Sequence, residues 1–268
     1  MAFEPLENPF YYLANFRQVL AWLGQRYADV LDDEEHGFIR RFATLPDNAQ
    51  ALLVRMIMRK GALFRASRLN YPEIGCTLTA ARPLLVEGWL DDQAPLTLEQ
   101  LFDLLVKPEL ITHFSHLQLR STLSKAQIFE ILAASEWPAQ PLGQWCPALG
   151  DAVYSLTVDE LCDRLRLLFF GNLRQGWTDF VLADLGVYRY ESVPMGPESR
   201  GLTHRDDVAA CIALHVCGEA MEAGEASVDL HHQLLAINTD KSWLQRRREK
   251  LLFRLVTRAS VSRTWSWR

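Results

Sequence analysis

The chain has 268 residues, of which 49% are hydrophobic and 23% charged, and its formal net charge is -5. This length holds two small domains or one large one, and the composition is that of a globular protein with ample material for a core. The total charge gives no sign of a polyanionic partner. Its distribution says more: residues 1–39 carry two basic and seven acidic side chains, residues 40–70 seven basic and one acidic, and residues 241–268 nine basic and one acidic. Basic stretches in an acidic chain can hold a polyanion locally, although charge runs are more commonly solvated helix faces. The start, MAFEPLENPFYY, lacks the basic region and unbroken apolar core of a signal peptide. No apolar run approaches the roughly 18 residues of a membrane span. Five cysteines without framework spacing fit a reducing compartment. The expectation is a cytoplasmic protein with no membrane partner.

Between residues 10 and 31, Tyr12, Phe16, Val19, Leu20 and Leu23 recur at spacings that predict an amphipathic helix. Asp32-Asp33-Glu34-Glu35 reads as an acidic turn or as the first turn of the next helix, where carboxylates meet the positive end of the helix dipole. Phe38, Ile39 and Phe42 supply that helix's apolar side. Residues 45–93 read as a compact module. Asp47 is the expected N-cap of its first helix, with Gln50 at the reciprocal position. Ala49, Leu52, Leu53, Met56 and Ile57 form the apolar stripe, and Gly61 ends the helix. Arg55 and Arg59 share its solvent edge, with Lys60 in the last turn. A short strand over residues 64–69 places Arg65 near Arg68 around a turn. Tyr71-Pro72-Glu73-Ile74 opens a short helix, and residues 78–87 form a third, in which Pro83 sits in the first turn or bends the axis. Helix, strand, short helix, third helix and a hydrophobic exit is the order of a winged-helix-like module. The third helix offers only Arg82, so the bases on the first helix and the strand imply phosphate contacts without base reading. Winged helices also serve as protein–protein modules.

Residues 91–95 read as a linker. Thr97-Leu98-Glu99-Gln100 is a capping box opening a helix that buries Leu98, Leu101, Phe102 and Leu105 and runs to Lys107-Pro108. A loop with His113, His116 and Arg120 follows. Ser124-Lys125-Ala126-Gln127 caps a second helix, with Ile128, Ile131 and Leu132 inside. Two short helices within residues 94–136 match the outline of a SAP-like hairpin, and Lys125 at a helix N-terminus suits a phosphate. Pro, Gly and Gln between residues 137 and 147 read as a second linker. Residues 150–256 are expected to be helical. Thr157-Val158-Asp159-Glu160 caps a helix carrying Leu161, Leu165, Leu168 and Phe169, which Gly171-Asn172 stops. Phe180, Val181 and Leu185 set up the next, closed by Gly186; residues 193–197 interrupt as a loop. Residues 205–218 and 228–238 form further helices, and 243–256 one more, which is basic. Cys211 and His215 share a helix face, but Cys217 points elsewhere, so buried core residues are the better reading than metal ligands. No clean 34-residue period is visible.

The stretch FFGNLRQGWTDFVLADLGVYRYE resembles the signature of the Fanconi-anaemia-associated nuclease family, bacterial branch. RKGALFRASRL followed by YPEI resembles that family's segment just before its SAP-type DNA-binding region. The resemblance runs from about residue 12 to about residue 255. It implies a mainly α chain: a winged-helix-like module, a SAP-like hairpin, then a helical-repeat-like region of tetratricopeptide type. It also implies that the intact enzyme is a phosphodiesterase (phosphodiesterase I type) that cuts flap or branched DNA with Mg2+ or Mn2+ in DNA repair, in the cytoplasm and at the nucleoid.

The residues themselves offer no active site. A restriction-type nuclease leaves an acidic residue two positions before a lysine, near the carboxylates that hold its metal. The five lysines are Lys60, Lys107, Lys125, Lys241 and Lys250, and two positions before them stand Met58, Leu105, Leu123, Thr239 and Arg248. No Walker loop, serine elbow, His-Glu-x-x-His or Rossmann glycine run appears. The family continues into a nuclease domain, whereas residues 257–268 are an atypical tail with two tryptophans, which reads as a truncation or frame shift, with a natural short form as the alternative. The expected role is therefore that of the DNA-binding N-terminal part of a structure-specific nuclease, without a catalytic site, metal ligands or a cofactor in this chain. The expected contacts to branched or flap duplex DNA are Arg55, Arg59, Lys60, Arg65, Arg68, Lys107, Arg120 and Lys125. The alternative is a non-catalytic adaptor that binds a protein through its helical half.

Overall fold

The computed structural model describes residues 8–179, 199–225 and 227–262. It divides into two compact units, Met1–Ala14 with Thr44–Asp159, and Asn15–Ala43 with Glu160–Arg268. The expected helix around Phe180, Val181 and Leu185, the loop at residues 193–197 and residues 263–268 of the tail lie outside the described residues, whereas residues 257–262 continue the last helix.

In the first unit, helix α3 (Asp47–Ile57) follows α1 (Tyr11–Arg26) and α2 (Asp33–Thr44) in the chain. Its stripe is buried as expected, Leu52, Leu53 and Met56 to 0% exposure. Its start differs from the expectation. Pro46 is the N-cap residue, Asp47 is already helical, and the Gln50 amide donates to the Leu45 carbonyl at 2.7 Å. Proline's fixed φ starts the helix without a side-chain cap. Strand β1 (Leu63–Arg65) is shorter than expected and passes into a 3-10 turn at Ala66–Arg68. Residues 71–74 form a turn, not a helix. Helix α4 (Thr77–Val86) holds Pro83 in its interior, not in its first turn. Gly88, at φ +72°, then turns the chain into β2 (Leu90–Asp91).

Both capping boxes of the next segment form as expected. Thr97 and Gln100 exchange bonds at the start of α5 (Leu98–Leu104), and Ser124 and Gln127 do so at α7 (Lys125–Ala133). The expected loop after Lys107-Pro108 is a helix instead, α6 (Lys107–His113). Proline near a helix start leaves no needed donor unmet, and the Glu109 carboxylate accepts the Val106 N–H at 2.8 Å. The expected second linker is also ordered. Helix α8 (Leu142–Trp145) buries Leu142 and Trp145 in a cluster with Leu101, Leu110, Phe114 and Ile128. The Trp145 indole N–H donates to the Leu96 carbonyl at 2.9 Å. Each such buried side chain contributes roughly 1.5–3 kcal/mol, more than the Pro and Gly of that stretch cost.

Strand β3 (Val153–Leu156) stands where the sequence suggests only helix. It is the middle strand of a three-stranded antiparallel sheet, with Phe64 opposite Tyr154 and Leu90 opposite Leu156. The sheet therefore completes only after the SAP-like segment has been traversed.

In the second unit, α1 buries Phe16, Val19, Leu20 and Leu23. Helix α9 (Asp159–Phe170) starts one residue later than expected, because the Thr157 hydroxyl donates to the Gly88 carbonyl at 2.7 Å. Gly171 ends it at φ +68°. Helices α10 (Arg205–Glu222), α11 (Val228–Ala236) and α12 (Ser242–Ser262) pack through Leu214, Met221, Leu234, Leu244 and Leu251. Cys211 and Cys217 are buried, free thiols. Glu35, fully buried in the first turn of α2, receives Arg164 at 2.7 Å and Arg205 at 2.8 Å and so joins α2, α9 and α10.

Candidate nucleic-acid interface

The basic residues of the first unit separate into those that hold the fold and those that face solvent. Arg55 projects from α3 over the Tyr12 ring, 4.0 Å from its centroid, and pairs with Glu73 at 2.5 Å. Burial pushes the Glu73 carboxyl up, but the hydrogen bonds and charge of Arg55, a backbone N–H and the Tyr12 hydroxyl together outweigh it and hold the group below its ordinary value. Burial likewise pushes the Tyr12 hydroxyl up to about 12. Arg55 is thus a half-buried cation whose charge is already met.

Arg65 is the clearest departure from the expected contact set. Its side chain is 7% exposed. Its guanidinium grips Glu109 with two nitrogens at 2.7 and 2.9 Å and Asp151 with Nε at 2.8 Å. Arg65 holds the Glu109 carboxyl below the usual carboxylate range. Burial pushes the Asp151 carboxyl up, but hydrogen bonds from Ser67, Arg65 and the Ala152 N–H outweigh it. The planar fork of arginine suits such a bidentate, buried pair. Arg65 ties β1 to the start of α6 and to Asp151, two residues before β3, so its donors face carboxylates and not solvent.

Arg59, Lys60 and Arg68 are different. All three are exposed, and they line one concavity of about 500 Å3 together with Gly61, Gln100 and Asp103. Arg59 donates to the Tyr71 hydroxyl at 3.2 Å. Lys60 and Arg68 have no carboxylate within ion-pair reach among the described residues. Arg65 forms the floor of the same concavity. The fold brings the end of α3, the turn after β1 and the first turns of α5 to one place, which spacing along the chain does not reveal.

Lys107, Arg120 and Lys125 do not line this concavity. The Lys107 ammonium donates to the Ser121 carbonyl at 2.8 Å and braces the loop after α6. Arg120 is exposed on that loop, and Lys125 is half-buried at the N-terminus of α7. The outer face of α4 shows Leu78, Arg82 and Val86, with Leu78 at 62% and Val86 at 81% exposure. That face has one side-chain hydrogen-bond donor besides its threonines, Arg82.

A second basic concavity, of about 660 Å3, lies in the second unit, where no contact was expected. It is lined by Arg174 beside Gly171 and by Trp243, Arg246, Arg247 and Lys250 of α12. The spacing of those four, three, four and seven residues apart from Trp243, could have found it.

Among the described residues, the acidic side chains do not fit a divalent metal. Asp207 accepts the N–H groups of Thr203 and His204 and pairs with Lys241 at 3.6 Å, while Asp163 pairs with Arg166 at 2.9 Å. Among the described residues no group of three or more His, Cys, Asp or Glu side chains is arranged to hold an ion. Among them, too, no helix is long and apolar enough to cross a membrane.

Residues 10–91 match the family model described as FAN1, HTH domain, and residues 95–145 match the Fanconi anemia-associated nuclease SAP domain. The chain is 49% identical over 258 residues to a Fanconi-associated nuclease 1 homolog of Pseudomonas aeruginosa, covering 96% of this chain and 46% of that protein. It is 29% identical over 194 residues to a homolog from Oryza sativa subsp. japonica, covering 67% of this chain and 20% of that one. A crystal structure of paFAN1 bound to 2nt 5'flap DNA with gap is similar at 48% identity and a TM-score of 0.90, over 97% of this chain and 48% of that chain. The chain thus spans about half the length of the bacterial relative and a smaller share of the plant one.

Proposed function

We propose, since the chain belongs to the Fanconi-associated nuclease family and corresponds to its N-terminal portion, that it binds the duplex part of branched or flap DNA through phosphate contacts. The observation that carries this reading is the concavity where Arg59, Lys60 and Arg68 converge with their charges turned to solvent. Cations placed in this way release counterions when they meet a phosphate backbone. The division of labour is a winged-helix-like module at 45–93 and a SAP-like region at 94–136 for DNA, following N-terminal helices at 1–44. The helical region at 150–256 and the tail at 257–268 complete the chain.

Arg59, Lys60 and Arg68 are the principal contacts, with Arg120 and Lys125 as further phosphate contacts of the SAP-like region. Arg55, Arg65 and Lys107 support the site by holding Glu73, Glu109 with Asp151, and the loop at Ser121. The intact family enzyme is a divalent-metal-dependent phosphodiesterase of DNA repair, using Mg2+ or Mn2+ and acting in the cytoplasm at the nucleoid. Among the described residues no group is arranged to hold that metal, and the reading assigns recognition, not hydrolysis, to this portion.

A salt titration of duplex binding tests the reading. Affinity should fall steeply as salt rises, with a slope of about -0.9 per phosphate contact on a log–log plot. Salt-insensitive affinity for a protein partner, with none for DNA, would favour the adaptor reading instead.

A further inference from the structure

The basic helix α12 carries a feature that duplex binding by the first unit leaves unused. Trp243, Arg246, Arg247 and Lys250 fall on one face of that helix and line the concavity with Arg174. The opposite wall is the turn after α9, which Asn172 pins by accepting the N–H groups of Arg174 and Gln175 at 2.9 and 3.3 Å. Among the described residues, four cations line the space and no carboxylate does, in a chain whose net charge is -5. Trp243 is 39% exposed, so an indole ring borders solvent beside those cations.

Each part has a physical consequence. Unopposed cations in a concave site focus positive potential and select an anion. An exposed indole next to them costs hydration unless a flat partner covers it. A single-stranded polynucleotide supplies both, with bases that stack on an aromatic ring and phosphates that track the basic groove. A paired duplex offers its phosphates but keeps its base faces stacked inside. An acidic peptide offers carboxylates but no successive flat rings.

We propose that this concavity is a binding site for single-stranded DNA, with a base stacked on Trp243 and phosphates held by Arg174, Arg246 and Lys250. Arg247 lies deeper, with a guanidinium nitrogen 4.0 Å from the Cys211 sulfur, and shapes the floor. The proposal deepens the DNA-binding reading, but it rests on residues that the duplex site does not use.

The test uses the full 268-residue chain and fluorescence anisotropy with three probes: a labelled dT15 strand, an abasic strand of equal length, and a blunt duplex. Trp243→Ala should weaken dT15 binding about tenfold and leave the abasic strand unchanged, because one stacked base is lost. Trp243→Phe should restore most of the dT15 affinity. Arg246→Ala with Lys250→Ala should weaken both strands and reduce the salt slope by about 1.4. Both substituted side chains are exposed, and circular dichroism checks that the variants fold. Equal loss on dT15 and abasic strands, no loss on either, or displacement of dT15 by polyglutamate at equal charge would overturn the proposal. Substituting Arg59, Lys60 and Arg68 instead should affect the duplex and spare dT15. A duplex result that fails therefore counts against the first reading, and a dT15 result that fails counts against this one.

Discussion

Replacing Arg65 with Met tests whether a basic residue of the candidate interface serves the fold rather than the ligand. The variant loses the bond to Asp151 at 2.8 Å, the two to Glu109 at 2.7 and 2.9 Å, and a long one to the Leu104 carbonyl at 3.4 Å. Removing one partner of a buried pair costs about 3–5 kcal/mol, because the other charge is left without a counterion. Here the stranded groups keep some donors. Asp151 retains Ser67 and the Ala152 N–H, Glu109 retains the Val106 N–H, and the Glu109 side chain is 23% exposed. The cost therefore falls at the lower end, about 3 kcal/mol. At about 2–4 °C per kcal/mol for a chain of this size, Tm should drop by about 6–12 °C.

The pH dependence sharpens the test. In the folded chain both carboxyls titrate below their ordinary values. The stability they contribute is present above the ordinary carboxylate range and is lost as pH falls through their folded values. Without Arg65 the stranded carboxyls take up protons on acidification and their cost disappears. The stability gap between the parent chain and Arg65→Met should be full at pH 7 and narrow toward pH 4. Urea unfolding followed by circular dichroism at both values measures it. A loss under about 1 kcal/mol, which is the range of an exposed pair, or a gap independent of pH would refute the clamp.

Other outcomes follow from the same structure. Thr97→Ala and Ser124→Ala each remove one side of a capping box and should each cost about 1 kcal/mol in urea unfolding. Tyr12 has its hydroxyl pushed up to about 12 by burial, so its contribution is full below about pH 10, the ordinary tyrosine value, and is lost as pH rises toward 12. Tyr12→Phe should flatten the alkaline limb of stability, and an unchanged limb would contradict that origin. With Mg2+ or Mn2+, the purified chain should leave a 5′-flap substrate uncut, since no acidic residue stands two positions before any of its lysines. Chelator-sensitive cleavage that vanishes on substituting Asp163 would contradict this.

Elements whose signal is local were legible in the sequence. The stripe of α3, the two Thr/Ser-x-x-Gln boxes and the Gly171 stop each act within one or two turns, so spacing alone identifies them. Elements fixed by distant partners were not. Val153-Tyr154-Ser155-Leu156 is too short to show a period, and it is a strand because β1 and β2 flank it. Leu142 and Trp145 sit among Pro, Gly and Gln that suggest a linker, yet the cluster around Phe114 orders them. Charge was harder still. Arg59 and Arg65 look alike in sequence, and only the fold shows that one faces solvent while the other meets Glu109 and Asp151. Glu35 reads as one of four acids in a turn, although it is the buried partner of Arg164 and Arg205.

The central claim is that Arg59, Lys60 and Arg68 meet DNA phosphates. The direct measurement is the salt dependence of blunt-duplex affinity for the parent chain and for the variant carrying Arg59→Ala, Lys60→Ala and Arg68→Ala. All three side chains are exposed, so the fold should persist. The account predicts weaker binding and a salt slope smaller by about 2.7, from about 0.9 for each of three contacts. An unchanged slope and affinity in the folded variant would contradict it and leave the concavity as a solvated face.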